Sequence, residues 1–338
     1  MMQTRQKPWV QQIFLFVLFV IFSASVQAHQ QAVKVPVEDR SNKARAEAEK
    51  TALEEMLVRL TGQADARHIA GVDTILSNAS AWVDQYSYEK EDGQQYLLFG
   101  FDEKQLRDEL ADIGAPLWSE VRPEVVVWWV KQHRDVVAQG EAVEDVHQSL
   151  LAQAERRGVP LRFPAMDNRD RDYVAASDIR GQFNEQIARA TENYSTALAV
   201  TVLQESDQRL RWQLLNKQQV LDSGVITAGD EEHLGKQLGD IVANTLGEHF
   251  AVAGGDLQAF AVVVKGVRAL QEWRQLETIL QGQAGVKSVN LRRLEAERLL
   301  LAVEYAGAVE QLKQVLVFRN ELSACPSDSE AALTLCWR

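Results

Sequence analysis

Cysteine is almost missing from this 338-residue chain: Cys325 and Cys336 are the only two, both close to its end. That excludes a disulfide framework and a cysteine-built metal site, which need more thiols at set spacings. No histidine lies nearby to activate either as a nucleophile. Histidine is scarce as well. His29, His68, His133, His147, His233 and His249 stand singly, without metal-ligand spacing, and each is expected at the surface. A nucleophile elbow of the form G-x-S-x-G is absent, as is Ser-x-x-Lys. Gly229–Lys236 approximates a phosphate loop, but its spacing is one residue too long. Gln237 stands where Ser or Thr is needed, and Asp230, Glu231 and Glu232 repel phosphate. These absences leave no cofactor implied and no catalytic or metal residue to name. Excess positive charge is also lacking: the formal net charge is −12. Such a field argues against nucleic acid as a partner and against polybasic attachment to anionic lipid.

What is present begins with a three-part N-terminus. Arg5 and Lys7 are followed by the apolar run Ile13–Phe22 and then by Ser23–Ala28, which ends in Val26-Gln27-Ala28. This is the pattern of a secretory signal peptide cut after Ala28. The apolar run is too short to span a bilayer, and no cysteine follows it to carry a lipid. The expected product lies in the periplasm, with no stable membrane span. In that oxidising compartment Cys325 and Cys336, separated by a Pro-Ser-Asp-Ser turn, are expected to pair.

Val33–Val37 reads as a strand, and Ser41 as the cap of a helix whose Ala48, Ala52, Met56 and Leu60 recur every four residues up to Gly62. Residues 82–89 and 95–101 alternate around a Glu-Asp-Gly turn, and a helix follows over 103–113. Val125–Val130 is apolar on both faces, as a central strand covered by helices on both sides would be, with Trp128 and Trp129 pointing oppositely into core. A helix over 141–157, a strand over 159–163, a loop over 164–178 and a helix over 179–193 come next. Strands at 196–203, 209–216 and 219–227 read as an antiparallel meander, and a helix spans 231–250. The remainder reads β-α-β-β-α. The predicted fold class is mixed α+β and α/β. A strand–helix–hairpin–helix unit occupies 29–118, a three-layer α/β domain 119–252, and a ferredoxin-like unit 256–319 after the hinge-like Ala253-Gly254-Gly255. Residues 320–338 form a tail.

The loop is the first candidate for a ligand site. Asp167, Arg169, Asp170, Arg171 and Asp172 alternate in sign, with Arg162 before them and Arg180 after. As a calcium loop it fails, because arginines occupy the alternate ligand positions and the bend glycine is absent. The arginines are placed to clamp an anion, or equally to pair with Asp167, Asp170, Asp172 and Asp178.

Several stretches also carry a family resemblance. They are Leu57-Val58-Arg59-Leu60-Thr61-Gly62, Tyr86-Ser87-Tyr88, Phe101-Asp102, Gly114 to Trp118, Arg122-Pro123, Trp128-Trp129 and Ala154 to Leu161. In this order they resemble exported proteobacterial proteins known as domain of unknown function 2066, over most of the mature chain. The resemblance implies an envelope location and no activity. The leading expectation is a non-enzymatic envelope accessory protein that binds other proteins. The alternative is a periplasmic ligand-binding or sensory module using loop 164–178. A carboxylate-based hydrolase ranks below both.

Overall fold

The computed structural model describes residues 32–119, 122–139, 144–252, 257–317 and 321–338. The expected signal peptide and the Ala253-Gly254-Gly255 linker lie outside them. In chain order the elements are β1 (Val33–Val37), α1 (Asn42–Thr61), α2 (Val72–Ser77), β2 (Val83–Glu91), β3 (Gln94–Phe101) and α3 (Glu103–Asp112). Then come β4 (Val125–Lys131), α4 (Asp145–Arg156), β5 (Leu161–Arg162), α5 (Asn168–Tyr173), α6 (Ala176–Gly181) and α7 (Asn184–Glu192). They are followed by β6 (Leu198–Ser206), β7 (Arg209–Asn216), β8 (Gln219–Thr227) and α8 (Glu231–Phe250). The last are β9 (Gln258–Lys265), α9 (Leu270–Gln281), β10 (Val286–Glu295), β11 (Arg298–Tyr305), α10 (Val309–Val317), β12 (Leu322–Ala324) and β13 (Leu333–Trp337). Helix and sheet are mixed throughout, as the periodicities predict.

Two compact units emerge. Among the described residues, the first holds those up to Leu53 and Asn78–Asp102; the second holds Glu54–Ser77 and those from Glu103 on. In the first, β3 lies between β1 and β2, antiparallel to both. Val33, Val35 and Val37 alternate inward with Leu97 and Phe99, as a period of two requires. Ser41 caps α1, its hydroxyl accepting from Ala44 N at 3.1 Å.

The second unit holds two five-stranded sheets. In the order β5-β4-β6-β7-β8, the first three strands run parallel and the last three form the antiparallel meander. Trp129 enters the core formed with α4 and α8, and Trp128 the core formed with α6 and α7. Both indole N–H groups are satisfied, Trp128 donating to Thr191 Oγ1 at 2.9 Å and Trp129 to Gln204 Oε1 at 3.1 Å. Helices α4 and α8 pack closely because glycines line the contact. A Cβ added at Gly235 would overlap Ser149 Oγ and come within 2.8 Å of Leu150 N.

The helix expected over 179–193 is broken in two. Gln182 adopts a left-handed φ of 57°, which ends α6 before α7 begins. Part of the expected loop is helical too, as α5. The other sheet has the order β10-β11-β9-β13-β12. Its last two strands come from the segment expected to be a separate tail, which is a correction. Leu333 and Leu335 bury on one face, and β13 pairs parallel to β9, with Leu335 beside Val264. A parallel partner so distant in sequence leaves no local turn signal. Cys325 and Cys336 are joined, with Cα atoms 5.6 Å apart, and so staple β13 to the segment after β12.

Candidate functional site

The polar loop folds by using its own charges. Asp167 caps α5, its carboxylate accepting from Arg169 N at 2.9 Å and Asp170 N at 3.1 Å, and pairs with Arg169 Nη2 at 3.2 Å. Those backbone bonds, with the guanidinium, hold the Asp167 carboxyl below the usual carboxylate range. Asp170 is buried and accepts from Tyr194 Oη and from Asn193 Nδ2. Burial first, then the Asp170 bond, pushes the Tyr194 phenol up to about 12. Arg171 donates to Met166 O at 2.7 Å, Arg162 pairs with Glu124 at 3.1 Å, and Arg180 pairs with Asp135 and donates to Arg134 O. Asp172 is exposed, and Asp178 accepts from Ala175 N at 2.8 Å. The four arginines expected to form an anion clamp are therefore each held by different partners. Asp167 and Asp178 are taken up by backbone N–H groups and Asp170 by Tyr194, while Asp172 faces solvent.

Some of the motif residues, Leu60, Gly62, Trp118, Arg122 and Arg157, meet at a joint within the second unit. Trp118 N donates to Leu60 O at 2.8 Å, and Gly62, at φ 72°, lets the indole and Gly247 approach where a side chain would collide. Arg122 lies 4.0 Å over the Trp118 ring. It donates to Ser119 O, Arg157 O, Gly158 O and Arg59 O. Desolvation, then the neighbouring Arg107 and Arg59 charges, lowers its pKa to about 9. Arg157, almost wholly buried, reaches Asp240 at 2.6 Å and Asn244 at 2.7 Å. These contacts seal helix ends. They satisfy carbonyls left over by α1 and α4.

His147 departs from the surface placement expected of it. It is buried between Trp129 and Phe163, each ring centroid 4.7 Å away. Nothing in its local sequence separated it from the other histidines. It falls on the inner face of α4 because that face meets the sheet. Burial drives its pKa down to about 4, against the opposing pull of Glu144, whose Oε2 lies 4.0 Å from Nε2 and 2.9 Å from Lys131 Nζ.

The open features lie at sheet edges. Strand β8 ends its sheet with Val220 and Val225 in solvent. Beside its first residues is a cavity of about 440 Å³, bordered by Lys217, Leu221, His249, Phe250, Lys313 and Val317. Strand β10 ends the other sheet, with Leu291 43% and Leu294 61% exposed. Both strands are legible in the sequence, but their edge positions are not, because these depend on strand order. Among the described residues no group of three or more His, Cys, Asp or Glu side chains is placed to hold a metal.

Residues 24–119 match the family model of a Domain of unknown function (DUF8605). The DUF8605 match spans the first sheet with α1, α2 and α3, and stops before Arg122. It overturns the resemblance to domain of unknown function 2066, a different family. Three of the residues that carried that resemblance, Gly62, Trp118 and Arg122, form the joint: a left-handed glycine, an aromatic seated on it and an arginine collecting carbonyls. A left-handed glycine after a helix is a common helix end and does not specify descent. No curated protein and no solved structure matches the chain.

Proposed function

We propose that this chain is an exported, non-enzymatic protein of the cell envelope that binds other proteins through exposed strand edges. The observation that carries the reading is the pair of long edge strands, β8 and β10, whose apolar side chains stand in solvent beside unpaired backbone. The signal-peptide pattern of residues 1–28 and the Cys325–Cys336 bond support an oxidising compartment. The polar loop draws its charges into caps and ion pairs, which weighs against the ligand-clamp alternative there. In vivo photocrosslinking tests the reading. A photoreactive residue is placed in turn at Val225, Leu294 and Tyr86, with exposed Glu47 as control. A specific protein adduct from an edge position and none from Glu47 is expected. No adduct from any edge position overturns the reading.

The cavity beside β8 favours a second reading, a small-ligand or sensory module with Lys217 and Lys313 at its rim. Thermal-shift screening with metabolites and cell-wall fragments tests it. Stabilisation abolished by Lys217→Ala supports it, and absence of any stabilising compound overturns it.

A further inference from the structure

Strand β10 is basic in a chain of net charge −12, and the basic residues fall at particular places. Its register against β11 slips twice, between Val286 and Ser288 and between Leu291 and Arg293. The two residues left without a partner opposite them are Lys287 and Arg292. A bulge re-aims its extra side chain away from the regular pleat. Both side chains are exposed, and among the described residues neither has a carboxylate within ion-pair distance. Arg293, by contrast, pairs with Glu295 at 3.1 Å and Glu330 at 3.7 Å. Leu291 and Leu294 flank Arg292 in solvent.

Bulges and basic side chains are also how a sheet edge is blunted against self-association. A second copy presenting the same edge would set like charges against each other. Protection alone, however, gives no reason for two exposed leucines beside the cation. An acidic strand reverses the sign of the interaction and leaves the apolar contact available.

Resting on the protein-binding reading above, we infer that β10 accepts an extended acidic segment of a partner protein as a sixth strand. The segment carries two carboxylates spaced to reach Lys287 and Arg292, roughly 16 Å apart along a strand, with an apolar side chain between them for Leu291 and one beyond the second for Leu294. Main-chain hydrogen bonds to the free edge hold it, and the two bulge cations select it over neutral or basic segments.

The test is selection of a displayed library of random dodecapeptides on the chain from His29 to Arg338, followed by affinity measurement of the enriched peptides. Enrichment of sequences with two acids four to six residues apart is expected. Their affinity should fall about tenfold or more in Lys287→Ala/Arg292→Ala, and also on raising salt from about 0.05 to 0.5 M, which shortens the screening length. Alternate N-methylation of the peptide should abolish binding. The double variant should melt with the unchanged protein, since both side chains are exposed. No enrichment, enrichment of peptides without acids, or binding indifferent to the double substitution overturns the inference. In vivo adducts from Val225 or Tyr86 but not from Leu294 also overturn it, while leaving the broader protein-binding reading in place.

Discussion

Arg122 and His147 show what a buried polar side chain costs and what compensates for it. Among the described residues no carboxylate pairs with Arg122; four carbonyls and the Trp118 ring stand in for one. Arg122→Ala would leave those carbonyls without their donor, and a loss of about 3–5 kcal/mol in urea unfolding is expected. Arg122→Lys should recover only part of it, because a single ammonium does not span the same acceptors. His147 makes a pH prediction. Folded, it stays neutral down to about pH 4; unfolded, it takes up a proton near 6.5. Between those values unfolding absorbs a proton. Its contribution is therefore complete above pH 6.5 and is lost as pH falls toward 4, by about 3 kcal/mol. His147→Phe should flatten that part of the stability–pH profile, and an unchanged profile would refute the assignment. None of this was legible in sequence, where His147 differs little from His133 or His249. Only the face of α4 on which it falls separates them.

At the scale of elements, the helical and strand periods were readable, and so were many of the caps. Asp230, within the stretch that approximates a phosphate loop, caps α8 by accepting from His233 N at 2.9 Å. Asp167, tested above as a metal ligand, caps α5. Acids just ahead of a helix do this more often than they bind ions, because the first turn leaves donors free. The contact between α4 and α8 rests on Gly235 and Gly239 of α8. Gly235→Ala forces the helices apart against Ser149 and Leu150, and a loss of about 2–4 kcal/mol is expected by thermal melting. Gly229→Ala, with nothing within 4 Å of an added Cβ, should stay within about 0.5 kcal/mol of the parent.

At the scale of the whole molecule, the C-terminal strands close the last sheet, and the disulfide links Cys336 of β13 to Cys325 just after β12. Opening it, by Cys325→Ser with Cys336→Ser or by reduction, frees a loop of sequence separation 11 in the unfolded chain. A loss of about 3 kcal/mol is expected from chain entropy, measured by unfolding with and without reductant. An unchanged midpoint would show that the β9–β13 pairing alone holds the end of the chain.

The amino-acid sequence by itself determined the mixed helix–sheet class, most elements, the two core tryptophans and the shortage of catalytic signatures. It could do so because periodicity, capping and motif spacing are local properties of the chain. Tertiary structure alone decided which strands became edges, that the last residues joined a sheet, that Glu124, Asp135 and Tyr194 took up charges of the polar segment and that His147 was buried. Each of these depends on a partner far away in sequence. The basic residues of β10 illustrate the division: Lys287 and Arg292 are plain in the sequence, but only strand order and register set them as unpaired cations along a free edge.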